Sequence, residues 1–225
     1  MARLNEAYRT DALVAEDGVL YDTLGSVGPT ALTKSGIAAG FKQAAINVGA
    51  EVIYDCPAQW LAEAFSGGGG DDGRSAWRYQ YSVTPSYHGA DLNAYFAVGA
   101  TVPNADFRRA VQKIWGNFVV RGSPVISVAD ATAGYANATV PIGGSGGGDD
   151  EIHWPAYAVD NPVHMTLNTT GGAVRNVTVT PDLSYLVREG PGIVNNFSLA
   201  DAVSWEGGRG QRCQFWRDVA ERVPL

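Results

Sequence analysis

Cysteine and histidine are scarce in this chain, with two of the first and three of the second. Zinc sites draw three or four such ligands at short, regular spacing, and no third or fourth ligand stands near either cysteine. No metal is expected, and no motif calls for an organic cofactor. Long apolar runs are also absent. None approaches the roughly 20 residues needed to cross a bilayer, so no membrane span is expected. The opening MARLNEAYRTDALVAEDG is polar and lacks the apolar stretch of a secretory signal. Positive charge is short as well: 16 Lys and Arg face 23 Asp and Glu, for a net charge of −7 and a pI near 4.9. Such a surface repels phosphate backbones and argues against nucleic acid as a partner.

What is present describes a globular protein. Apolar residues make up 45% and charged residues 17% of a 225-residue chain, enough for one sizeable core that is a whole domain or part of one. The glycines cluster. Residues 66–74 (SGGGGDDGR) and 143–151 (GGSGGGDDE) read as flexible surface loops between structured segments.

Periodicity predicts a helix from Ser35, a plausible N-cap, to Cys56, with Ile37, Phe41, Ala45, Val48, Val52 and Ile53 on one apolar stripe. Pro57 then opens a second short helix, since proline is tolerated in a first turn. The first thirty residues read as loop and short helix ending in a turn at Gly25 to Pro29. Trp77 to Val83 alternates large apolar and polar side chains, a strand pattern closed by Pro85. Asn104 caps the strongest helix, with Phe107, Val111, Ile114, Trp115 and Phe118 on one face and Gly122 just past its end. Short strands are expected at Met165–Leu167 and Ala173–Thr180, and an amphipathic helix from Cys213 carries Phe215, Trp216 and Val219. Helices alternating with a few strands give a mixed α/β class.

Four N-x-S/T sequons, at Asn137, Asn168, Asn176 and Asn196, lean towards a secretory-pathway origin. A secreted protein without an export signal leads to the expectation that the chain has lost its beginning.

His88 is the most suggestive position for chemistry. It follows the Trp77–Val83 strand and Pro85 at once, on a loop where Gly89 allows a sharp turn. A hydrogen-bonded loop histidine is the plainer alternative. His153 and His164, flanking a Trp-Pro segment, read as structural.

Four stretches alter that balance: DCPAQWLAEAF from Asp55, YQYSVTPSYHGADLNAYF from Tyr79, FRRAVQKIWGNFVVRGSP from Phe107 and WPAYAVDNPVHMTLNTTGG from Trp154. In sequence, order and spacing they resemble the C-terminal region of type-B (cholinesterase-like) carboxylesterases, especially the secreted fungal ones. The resemblance covers roughly residue 36 onward. It implies an α/β-hydrolase fold of which this chain is the C-terminal part, a single partial domain over residues 1–225 with the N-terminal half missing. His88, in the loop H-G-x-D, matches the general base of a Ser–Asp/Glu–His triad acting on a carboxylic ester. Asp91 then has a supporting role beside it, the triad acid lying further upstream in the family, and Tyr87 lines the substrate pocket.

The resemblance also pairs Cys56, at a "CP" helix start, with Cys213, in a "C-x-F-W" final helix; two free buried thiols are the alternative. The nucleophile elbow and oxyanion loop would precede this region. Gly143 to Gly147 spells G-x-S-x-G as text, but no strand leads into it and no helix leaves it, so Ser145 is not the nucleophile. The chain by itself is therefore expected to be inactive towards esters, and its oligomeric state is not legible. The alternatives are a noncatalytic cholinesterase-like interaction module, or a truncated product without independent activity.

Overall fold

The computed structural model describes residues 2–8, 14–15, 18–19, 41–66, 74–84, 86, 88–96, 102–142, 150–180 and 183–222. Near the start lie α1 (Ala2–Ala7) and the paired short strands β1 (Val14–Ala15) and β2 (Gly18–Val19). A continuous helical run follows, made of α2 (Phe41–Ala50), a π-helical turn (Glu51–Asp55) and α3 (Cys56–Phe65).

The π turn has a cause in the sequence. Pro57 has no N–H and its ring crowds the preceding turn, which an ordinary i→i−4 ladder does not tolerate. The helix opens by one residue instead: the Cys56 N–H donates to the Glu51 carbonyl, five residues back. The two expected helices are thus fused rather than separated. The looser winding also breaks the expected apolar stripe. Ile53 is 61% exposed and Ala45 is exposed, while Glu51 is fully buried. Ser35, Ile37, the turn at Gly25 to Pro29 and most of both glycine-rich loops lie outside the described residues.

After residue 74 come β3 (Tyr79–Tyr81), α4 (Leu92–Tyr95), α5 (Ala105–Arg121) and α6 (Val128–Thr132). Then come β4 (Val163–Thr170), β5 (Ala173–Thr180), β6 (Leu183–Glu189), β7 (Val194–Asp201) and α7 (Trp205–Val219), which ends in a 3-10 turn, Ala220–Arg222. The architecture is mixed α/β. A three-stranded sheet has the order β3-β4-β7, with β3 parallel to β4 (Tyr79 opposite Met165) and β4 antiparallel to β7 (Val163 opposite Asp201). β5 and β6 continue the β4–β7 pair as a second antiparallel ribbon. A glycine kink separates the two. At Gly171 φ is +75° and a Cβ would stand 2.1 Å from the Gly192 carbonyl oxygen, so no side chain fits there.

The principal core lies between the sheet and α5. Tyr81, Met165, Leu167 and Phe197 pack against Phe107, Ala110, Val111 and Ile114. Phe107 is fully buried and meets the rings of Tyr81 and Phe197 edge-on, at 5.9 and 6.0 Å between centroids. Burying one such side chain contributes roughly 1.5–3 kcal/mol. Asn104 caps α5 as expected, accepting from the Phe107 N–H at 2.8 Å, and Gly122 closes it in the left-handed conformation. The apolar face divides, however. Phe107, Val111 and Ile114 reach the core, whereas Trp115 and Phe118 stay partly exposed, 37% and 42%, stacked edge-on with each other.

β4 is buried on both faces even though its sequence alternates, Val163, Met165 and Leu167 with His164, Thr166 and Asn168, so its polar side chains are buried as deeply as its apolar ones. α7 starts at Trp205, eight residues before the expected start, through a Gly-rich stretch that propensity argues against. Tertiary contact explains it: Gly210 lies so close to the chain at Ala202 that a Cβ would meet its carbonyl oxygen at 2.5 Å.

Cys56 and Cys213 are bonded, with an S–S distance of 2.05 Å and Cα atoms 5.0 Å apart. Beside the bridge lies a buried charge cluster. Glu51 accepts from Arg212 at 2.6 to 3.0 Å, from the Tyr8 hydroxyl at 2.5 Å, and faces Arg209 at 3.4 Å. Arg209 also reaches Asp55 at 2.8 Å. Disulfide and ion pairs together tie the π turn to α7.

Candidate functional site

β3 delivers the chain to the loop that carries His88. Residues 88–91 form a turn in which Gly89 has φ +79°, left-handed space that suits glycine, and the Leu92 N–H donates to the Gly89 carbonyl at 3.1 Å to start α4. His88 is exposed beyond the strand end. Its imidazole stacks on the phenol ring of Tyr54, with centroids 4.2 Å apart and planes at 25°. Among the described residues the ring makes no hydrogen bond, and the stack on Tyr54 engages its face and not its nitrogens.

Asp91, three residues on, is engaged elsewhere. One of its carboxylate oxygens accepts from the hydroxyls of Tyr79 at 2.6 Å and Tyr95 at 3.1 Å. These bonds join β3, the turn and α4. Burial first, and then the Asp91 carboxylate, push Tyr79 well above the ordinary phenol range, so it stays a neutral donor. Tyr95 is raised in the same direction for the same two reasons. Asp91 thus braces the turn from below while His88 faces outward. The arrangement offers an exposed imidazole and, among the described residues, no nucleophile hydrogen-bonded to it.

The remaining sequence candidates scatter. Tyr87 and Ser145 lie outside the described residues. Asn137 and Asn176 are exposed, the latter on β5, and Asn196 is half-buried on β7. Asn168 lies on the central strand β4, 2% exposed, with its side-chain oxygen accepting from the Thr169 N–H. His153 is half-buried, its backbone N–H bonded to Pro141. His164 is buried edge-on against Trp205 at 4.8 Å, and burial, helped by the charge of Arg78, lowers its pKa to about 3. It is neutral throughout the physiological range.

Among the described residues no group of three or more His, Cys, Asp or Glu side chains could hold a metal ion, and no helix is long and apolar enough to cross a membrane. Sequence reasoning missed Tyr54. Its one available signal was Pro57, three residues on, which forces an irregular turn at that place. Comparison adds no relative. No family model, curated protein or solved structure matches the chain.

Proposed function

We propose that this chain supplies the general-base histidine of a serine carboxylic-ester hydrolase, with nucleophile, triad acid and oxyanion donors provided by residues outside these 225. The observation that carries the reading is the setting of His88: an exposed imidazole with no hydrogen-bond partner among the described residues, on a turn that follows the parallel strand β3 in the chain, at the position that resembles the H-G-x-D loop of type-B carboxylesterases. Rigid strands fix catalytic groups while the following loop exposes them.

The sheet offers further support. β3 pairs with β4 on one edge and, among the described residues, with no strand on the other, whereas the outer side of β7 is bridged at Thr139. Parallel strands are generally interior, so the open edge of β3 suits additional strands. In the reaction His88 takes the proton from a serine hydroxyl as its oxygen bonds to the ester carbonyl carbon, and gives it to the alcohol as the carbon–oxygen bond breaks. Water repeats the cycle on the acyl-enzyme and restores both groups. Asp91, held by two tyrosines, keeps the turn in place during both transfers.

The test uses the polypeptide that carries this sequence in its source organism, exposed to a fluorophosphonate probe and assayed with an activated short-chain ester. A probe adduct on a serine outside residues 1–225, lost in His88→Ala together with hydrolysis, is the expected result. Hydrolysis that survives His88→Ala overturns the proposal, as does a native polypeptide of these 225 residues alone that fails to react.

A further inference from the structure

The contact between Tyr54 and His88 lies at the surface, outside the hydrophobic core. Tyr54 is 45% exposed and His88 is exposed, so the stack buries little, and the tyrosine hydroxyl makes no hydrogen bond among the described residues. Yet three residues close to Tyr54 in the chain are anchored. Glu51 and Asp55 are held by Arg212 and Arg209, and Cys56 by its disulfide to Cys213. The π turn directs Glu51 inward and Tyr54 outward within three residues. A rigid pedestal therefore carries an exposed aromatic ring whose one described ring partner is the imidazole of His88.

We propose that Tyr54 is a positioning residue for His88: its ring face fixes the plane of the imidazole and leaves the two ring nitrogens pointing along that plane. This inference rests on the esterase reading for its consequence, and on the stack alone for its geometry. A general base needs both nitrogens at once, one for the hydroxyl it deprotonates and one for the group that orients it. A neighbour that hydrogen-bonded the imidazole would occupy one of them; a ring stacked on its face occupies neither. The contact also favours the imidazolium formed during proton transfer, because a cation over an aromatic face is attracted by the ring quadrupole. The phenol hydroxyl has no part in this, so phenylalanine should serve as well as tyrosine.

The first measurement is the proton NMR spectrum of the His88 ring in this chain. The stack places its protons in the shielding region of Tyr54, so they should resonate upfield, stay there in Tyr54→Phe and move downfield in Tyr54→Leu. Identical shifts in the wild type and Tyr54→Leu overturn the geometry. The second measurement is steady-state ester hydrolysis by the native polypeptide. Tyr54→Leu should lower kcat about 10-fold with KM unchanged, as expected for lost orientation of a reacting group, and Tyr54→Phe should restore it. If His88→Ala abolishes hydrolysis while Tyr54→Leu matches the wild type, the positioning role fails and the general-base reading stands. If His88→Ala leaves hydrolysis intact, both fall.

Discussion

Glu51→Ala is the sharpest test of what holds the pedestal of the site. The carboxylate is fully buried and receives the Arg212 guanidinium, itself 5% exposed, through two nitrogens at 2.6 to 3.0 Å. It also faces Arg209, 6% exposed, and accepts from the Tyr8 hydroxyl. Removing it leaves the Arg212 charge buried without its carboxylate, a loss of about 3–5 kcal/mol. Arg209 keeps Asp55 and adds little to that figure. The Tyr8 oxygen still accepts from the Trp216 indole N–H at 2.7 Å, but its own proton loses its acceptor.

For a chain of this length each kcal/mol lowers Tm by roughly 2–4 °C, so the drop should be about 6–20 °C, with a matching fall in the urea midpoint. The control is Glu51→Leu combined with Arg212→Met, which removes both charges at similar volume. It should be more stable than Glu51→Leu alone, because the buried guanidinium is removed together with the carboxylate it pairs with. A loss under about 1 kcal/mol for Glu51→Ala, or a double variant as unstable as the single one, would refute the claim that the pair is desolvated and coupled.

Breaking the bridge with Cys56→Ala and Cys213→Ala frees a loop of 157 residues, and urea unfolding should show a loss of up to about 5 kcal/mol on the chain-entropy account. Burial places the His164 pKa near 3, below the ordinary value of 6.5, so between those limits the unfolded chain binds the proton more readily. Stability should accordingly fall as pH drops through that window, by as much as about 1.4 kcal/mol per pH unit, and a His164→Leu variant should lose that slope in acid titrations followed by circular dichroism. Asn104→Ala removes the cap on Phe107 and the hydrogen bond that the Asn104 side-chain amide donates to the Ile193 carbonyl at 2.9 Å, and should cost about 1–2 kcal/mol by urea denaturation, whereas a change within about 0.5 kcal/mol would mean that water replaces both.

What the sequence made legible follows from how local its causes are. The α5 helix was readable because cap, apolar face and terminal glycine are all encoded within 19 residues, from Asn104 to Gly122. The β3 strand was readable from aromatic alternation, although pairing shortens it to the three residues that β4 runs beside. β6 and β7 went unread. In β7, Asn195, Asn196 and Ser198 look like loop chemistry, yet Asn195 is 2% exposed and its amide donates to the Ala131 carbonyl at 2.6 Å. That satisfaction comes from 64 residues away, beyond the reach of any periodicity. The start of α7 fails for the same reason, because Gly210 is explained by the close approach of the chain at Ala202 and Val203 and not by helix propensity.

At the candidate site the division is finer. His88 and Gly89 stand out in the sequence because strand, turn and imidazole are consecutive. The role of Asp91 needed coordinates, since Tyr79 reads equally well as core and Tyr95 lies on the next helix. Tyr54 needed more still. Its exposure depends on a helix that widens to accommodate Pro57, on a buried glutamate that fixes the rotation of that turn, and on a disulfide that locks its end. None of these points to His88 by itself. Proline explains why the ladder shifts by one residue, and the Glu51–Arg212 pair explains which side of the shifted turn faces inward. With Glu51 buried, Tyr54 is carried outward to the side where the β3 turn presents an imidazole. The same reasoning separates two effects that a stability assay alone would merge. Glu51→Ala should loosen the pedestal and therefore lower both global stability and the ring-current shift of His88. Tyr54→Phe should change neither, because the stack needs only the ring and the anchors lie on either side of it in the sequence.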